Sequence, residues 1–174
     1  MKRFLMVGAA AALLGACGGQ NVQVQAPLGD LVKPSGAPWL TVAGGTDKLD
    51  VRGLDHKVTL EPAPGVSAAF QSQLGARLQS DYFQDLVVTC TALTTTLRVD
   101  EDKAPGNLSM DLGLHCAFWS KGFDTNHDYK AQVSTAVTSG SGDGGYAQAL
   151  PKLLSDSADD IASQLRGDLQ KLKR

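Results

Sequence analysis

The stretch NLSMDLGLHCAFWS, Asn107 to Ser120, decides how this chain folds. Leu108, Met110, Leu112, Leu114, Cys116 and Phe118 share one parity, and Ser109, Asp111, Gly113, His115 and Trp119 share the other. A period of two marks a strand with one buried and one open face, the pattern of half-buried antiparallel sheets. Upstream, Leu86 to Val99 is rich in Val and Thr, the composition of strand. Downstream, His127 to Thr138 alternates in the opposite parity, with Tyr129, Ala131, Val133 and Val137 against Asp128, Lys130, Gln132 and Ser134. Three consecutive antiparallel strands are predicted.

The connection between the first two strands bears on the cysteines. If residues 100 to 106 form it, Val99 faces Asn107, and the same register sets Cys90 opposite Cys116. Facing strand residues lie about 4.5 to 5.5 Å apart at Cα, a spacing that a disulfide accepts. An intra-hairpin Cys90–Cys116 bridge is therefore expected. His56, His115 and His127 do not supply the further ligands that a zinc site needs at metal-site spacing.

Further out lie two helices. Phe70, Leu74 and Leu78 recur every four residues within Gly65 to Gln79, with Ser67 as the expected cap. Near the C-terminus, Leu153, Leu154, Ala158, Ile161, Leu165, Leu169 and Leu172 form an apolar stripe over about Pro151 to Lys171, with proline expected in the first turn. Before the first helix, Trp39 to Val42 and Lys57 to Leu60 read as short strands, and Lys48 to Gly53 is ambiguous. Residues 18 to 38, rich in Gly, Gln and Pro, read as a flexible tether.

The first seventeen residues set the compartment. Lys2 and Arg3 precede an apolar run from Phe4 to Leu14, followed by Gly15, Ala16 and Cys17. The run is shorter than the roughly 20 residues a membrane-spanning helix needs, and it reads as a secretion signal. Leu14-Gly15-Ala16-Cys17 resembles the lipobox of bacterial lipoproteins. That resemblance implies diacylglyceryl transfer to the Cys17 thiol, cleavage, and acylation (palmitate among the chains) of the new N-terminus. Several acyl chains make a stable anchor where one binds only marginally. Gly18, where an Asp would resemble an inner-membrane retention signal, implies the outer membrane and its periplasmic face. Such a compartment is oxidising, which suits the remaining pair of cysteines.

The signal holds two of the sixteen basic residues and none of the eighteen acidic ones, leaving fourteen against eighteen and a net charge of −4. With no basic block, nucleic acid is excluded as a partner class. Gly140, Gly142 and Gly145 match Gly-x-Gly-x-x-Gly, but no later strand carries the acidic partner of a nucleotide site, so a linker is expected. Asp124, Asn126 and Asp128 echo a calcium loop that lacks its glycine, replaced by Tyr129, and its glutamate, replaced by Thr135; a polar hairpin turn explains them. No serine is flanked as in a nucleophile elbow. His115 and His127 show no carboxylate partner in sequence. Neither a catalytic set, a cofactor site nor a metal site is expected.

Trp119 stands apart. Strict alternation puts it opposite Phe118 and beside His115. With helices only on the Phe118 side it is partly exposed and positioned to anchor a partner; a bulge, the tether or Trp39 would instead cover it.

The order strand, helix, three antiparallel strands, helix behind a lipidated cysteine resembles small Gram-negative outer-membrane lipoproteins of the YajG-like kind. The Val58-Thr59-Leu60 strand, the Phe70/Leu74/Leu78 helix and the terminal helix carry the resemblance over roughly residues 48 to 172; the two-cysteine hairpin departs from it. Lipoproteins of the LptE kind share the element order. The expectation is an α+β domain over residues 39–174, with an antiparallel-rich sheet of about four strands and two helices on one face. The expected role is that of a non-enzymatic envelope lipoprotein that docks on a protein partner. The alternative is a carrier of a lipid or small hydrophobe in a groove between sheet and helices.

Overall fold

The computed structural model describes residues 21–34, 36–100, 102, 104 and 106–173. The strands are β1 (Asn21–Pro27), β2 (Leu40–Gly44), β3 (Leu49–Arg52), β4 (Lys57–Ala63), β5 (Val87–Val99), β6 (Asn107–Ser120) and β7 (Phe123–Ala136). The helices are α1 (Val66–Leu78) and α2 (Gly144–Leu172).

The sheet is mixed and seven-stranded, in the order β1-β4-β3-β5-β6-β7 with β2 also paired to β5. This corrects the expected four antiparallel strands. The long β5-β6-β7 meander is antiparallel as expected, but β1 runs parallel to β4, and both β2 and β3 run parallel to β5. β6 lies along the whole of one edge of β5, so β2 and β3 share the other edge, one behind the other. Two short strands in tandem on one long one leave too few residues each for a period to show.

The expected tether is also shortened. Asn21–Pro27 pairs residue for residue with Lys57–Ala63, and the Leu28 N–H donates to the Ala63 carbonyl at 2.8 Å. Ala26, Leu28 and Ala37 are fully buried. Their apolar positions are spaced by Gln and Asn, which hides a half-buried edge strand inside a linker-like composition. Residues 18 to 20 lie outside the described residues.

Two helix starts differ from expectation. Gly65 occupies the N-cap of α1, with no side-chain cap, and Ser67 lies within the helix. α2 begins at Gly144, two turns before Pro151, which therefore sits in the helix interior. Gly145 explains the early start: a Cβ there would collide with Ser141 Oγ and Val137 Cγ1, so only glycine lets the first turn press on the end of the preceding chain.

Both helices cover the face of the sheet that carries the even positions of β6, as expected. Leu108, Met110, Leu112, Leu114, Cys116 and Phe118 meet Phe70, Leu74, Leu150, Leu153, Leu154 and Ile161 in one buried cluster. α2 touches β6 and both outermost strands, β1 and β7, so the sheet curls around it. Free strand edges are capped by helix glutamines: Gln71 Oε1 accepts from the Val42 N–H at 2.9 Å, and Gln164 Nε2 donates to the Lys130 carbonyl at 2.8 Å. These bonds occupy groups that would otherwise invite another strand.

Arg77 ties the helices together. Its Nε and Nη2 donate to Asp159 Oδ1 and Oδ2 at 2.6 and 2.9 Å, and Nη2 also reaches the Ser155 hydroxyl at 2.8 Å. Arg166 answers from α2, donating to Asp81 at 3.0 Å and to the Arg77 carbonyl at 2.8 Å.

Candidate functional site

The residue whose chemistry is plainest in sequence, Cys17, lies outside the described residues, as does the rest of the signal. Cys90 and Cys116 face each other across β5 and β6 and form a disulfide, with Cα atoms 4.0 Å apart and both side chains fully buried. The bridge ties the adjacent long strands β5 and β6 and is a structural element.

Trp119 does face the uncovered side. It is 48% exposed and stands opposite Val87 on β5 and Asp124 on β7. Neither bulge nor preceding chain covers it. Around it the end of the sheet is unusually apolar. Val87 and Tyr82 are exposed, and Phe123, just past the β6–β7 turn, is 75% exposed, although its pairing with Ser120 places it on the other face of the sheet from Trp119. That turn is the two residues Lys121 and Gly122, at φ +51° and +83°, the geometry of a type I′ hairpin. Asp124, Asn126 and Asp128 are thus outward positions of β7, and not a turn as expected. Trp39 packs on Tyr82 with ring centroids 6.2 Å apart and, with Pro38, Leu86 and Val87, walls a cleft of about 430 Å³. Trp39 is only 8% exposed, and its buried indole N–H has no hydrogen-bond partner among the described residues. Sequence reasoning found Trp119 and missed Tyr82, Val87 and Phe123, which alternation alone does not gather at one end of the fold.

His115 lies on the same open face, four positions along β6 from Trp119, or about 13 Å at the usual rise per residue. The sequence shows it no carboxylate partner; the structure supplies one across the strands, with Nδ1 2.7 Å from Asp128 Oδ1. Thr91 completes the row on β5 but makes no hydrogen bond to the imidazole. His115 is thus part of an exposed cross-strand pair and is not gathered with Trp119 into one site. His127 instead packs edge-on against Phe118, centroids 5.8 Å apart.

The strongest titration effects lie in the framework. The Tyr129 hydroxyl donates to Asp168 at 2.8 Å, and burial with that carboxylate pushes the phenol well above its ordinary value. Asp168 is opposed in its ionisation by burial, yet hydrogen bonds from Lys171 and Tyr129 leave it below the usual carboxylate range. Among the described residues no group of three or more His, Cys, Asp or Glu could hold a metal ion, and no helix is long and apolar enough to cross a membrane.

No family model matches the chain, and no curated protein matches it. Among solved structures it is similar to rare lipoprotein B from Shewanella oneidensis, at TM-score 0.43 and 7% identity over 78% of this chain and 98% of that one. It is also similar to a Xanthomonas campestris protein of the DUF330 family, at TM-score 0.42 and 11% identity over 85% and 88%. Likenesses this distant carry no functional argument.

Proposed function

We propose that this protein is a lipid-anchored, periplasm-facing lipoprotein of the outer membrane that works without catalysis, by docking a protein partner on its apolar end. The observation that carries the reading is exposed Trp119 standing opposite exposed Val87, which with Tyr82 borders the Trp39 cleft at that end of the sheet. Exposed aromatics around a preformed apolar recess are what interface anchors are made of. The anchor itself rests on the sequence before Cys17.

The carrier alternative needs space between sheet and helices. That layer is filled instead by Phe70, Leu74, Met110, Phe118, Leu150 and Leu154, all fully buried. Docking is favoured for that reason.

The test is a photocrosslinker at position 119 or 87 in growing cells, with the captured species identified by mass. One dominant envelope protein is expected, and Trp119→Ala should weaken its retention about 30-fold or more, the scale of an interface hot spot, at unchanged melting temperature. Full retention in the Trp119→Ala/Tyr82→Ala double variant would overturn the reading.

A further inference from the structure

Asn21 on β1, Lys57 on β4 and Arg98 on β5 lie in one cross-strand row on the open face, and continuing the β3–β4 register by one residue puts Arg52 between the last two. Three cations therefore stand on three adjacent strands, spaced about 4.8 Å apart per strand. Arg52 and Arg98 are direct register partners, and like charges so placed repel. Neither makes an ion pair or a side-chain hydrogen bond among the described residues.

Several carboxylates lie nearby, and Asp50, held below its ordinary value first by hydrogen bonds from Thr59 and Lys57, also feels the charge of Arg52. Asp50 accepts from Thr59 at 2.6 Å and pairs with Lys57 at 3.2 Å. Glu61 pairs with Lys48 at 2.8 Å and accepts from Gln25 at 2.7 Å. Asp111 lies one row further along the open face, and Asp100 and Asp102 flank the arginines at the end of β5, without pairing to either.

Beside the row is a cleft of about 510 Å³, lined by Asn21, Lys48, Asp50, Arg52, Lys57 and Thr96 among others; Arg98 lines a neighbouring cleft with Arg52, Asp100 and Asp102. It exists because β5 has no strand on that edge between its last pair with β2, at Leu93, and its first with β3, at Leu97. The Thr95 hydroxyl, buried and without a hydrogen-bond partner among the described residues, lies on the helix side of β5 with Leu112 and takes no part in the row.

We propose that Arg52 and Arg98, with the Lys57 ammonium beside them in the row, form a binding site for a phosphate group of the kind carried by lipid head groups. Two planar guanidinium forks side by side match the oxygens of one tetrahedral anion, and a bound phosphate relieves their repulsion. The position favours lipid as its source. Asn21 belongs to the row, and Cys17 is four residues before it, so a lipid on Cys17 holds the row within about 14 Å of the anchor. That source, though not the site, rests on the reading of Cys17.

The full chain, matured in its host and purified in neutral detergent, is titrated with inorganic phosphate and separately with short-chain phosphatidylglycerol. Arginine side-chain N–H signals report the site. Both ligands should shift Arg52 and Arg98, the lipid binding at least tenfold tighter. R52Q/R98Q should bind at least tenfold more weakly. Phosphate should raise the melting temperature of the wild type and leave that of R52Q/R98Q unmoved. Equal affinity for the two ligands keeps the site and overturns its lipid source. Unshifted arginines in the wild-type protein, a reading independent of any variant's folding, overturn the site itself.

Discussion

Ala92 adopts φ +54° in the middle of β5, where the register to β6 slips by one: Ala92 and Leu93 together face Leu114. An L-residue pays roughly 1 kcal/mol in that region and glycine almost nothing. Ala92→Gly should therefore raise stability by about 0.5 to 1 kcal/mol in denaturant unfolding, and Ala92→Val should lower it. The same bulge governs the disulfide. Val99 faces Leu108 and not Asn107 as the loop length suggested, and the bulge returns the register so that Cys90 meets Cys116 after all. The expectation thus came out right for a reason absent from it, because a bulge has no sequence signature here. Closing this loop stabilises by about 3.5 kcal/mol in the chain-entropy model; Cys90→Ala/Cys116→Ala should lose about that much in urea. Arg77 carries the pH dependence. Its hydrogen bonds hold Asp159 below the ordinary carboxylate value of 3.8, so the associated stability is full above that value and is lost as pH falls through the depressed one. In Arg77→Gln, acid unfolding followed by circular dichroism should lose that contribution.

At the scale of elements, legibility followed length and period. β6 was readable to the residue because fourteen positions alternate without interruption, and β5 and the cores of both helices nearly so, whereas β7 was read from His127 and begins at Phe123. β3 has four residues, and β1 is masked by glutamines, so no window reveals either. The start of α2 was missed because Pro151 looks like a first-turn residue, whereas the Gly145 contact with Val137 and Ser141 that extends the helix is tertiary. Interior proline removes one helical hydrogen bond and crowds the previous turn, at about 3 kcal/mol in an unstrained helix. Pro151→Ala should accordingly raise the thermal midpoint, by an amount corresponding to about 1 to 3 kcal/mol. Of the candidate sites, Trp119 was legible from parity alone. The cationic row was not: Arg98 is far in sequence from Arg52 and Lys57 and joins them only through a parallel pairing that alternation does not announce.

For the molecule as a whole, the two ends differ. β5 runs from Val87, in the aromatic cluster, to Val99, at the end where β1 begins, a span of roughly 40 Å at the usual strand rise. Leu165 of α2 is fully buried in the layer between, and Leu165→Ala should cost about 2 to 5 kcal/mol in stability, read from urea unfolding, while leaving Trp119 fluorescence in the folded state unchanged. The parallel seven-residue pairing of β1 with β4 has a mechanical consequence. Were the proposed lipid to hold the Asn21 end and the proposed partner the Trp119 end, they would pull along the strand axes. Under such a load the hydrogen bonds of β1 would be sheared together and not peeled one by one, and the first strand of the domain would serve as a strain-bearing rope between membrane and partner.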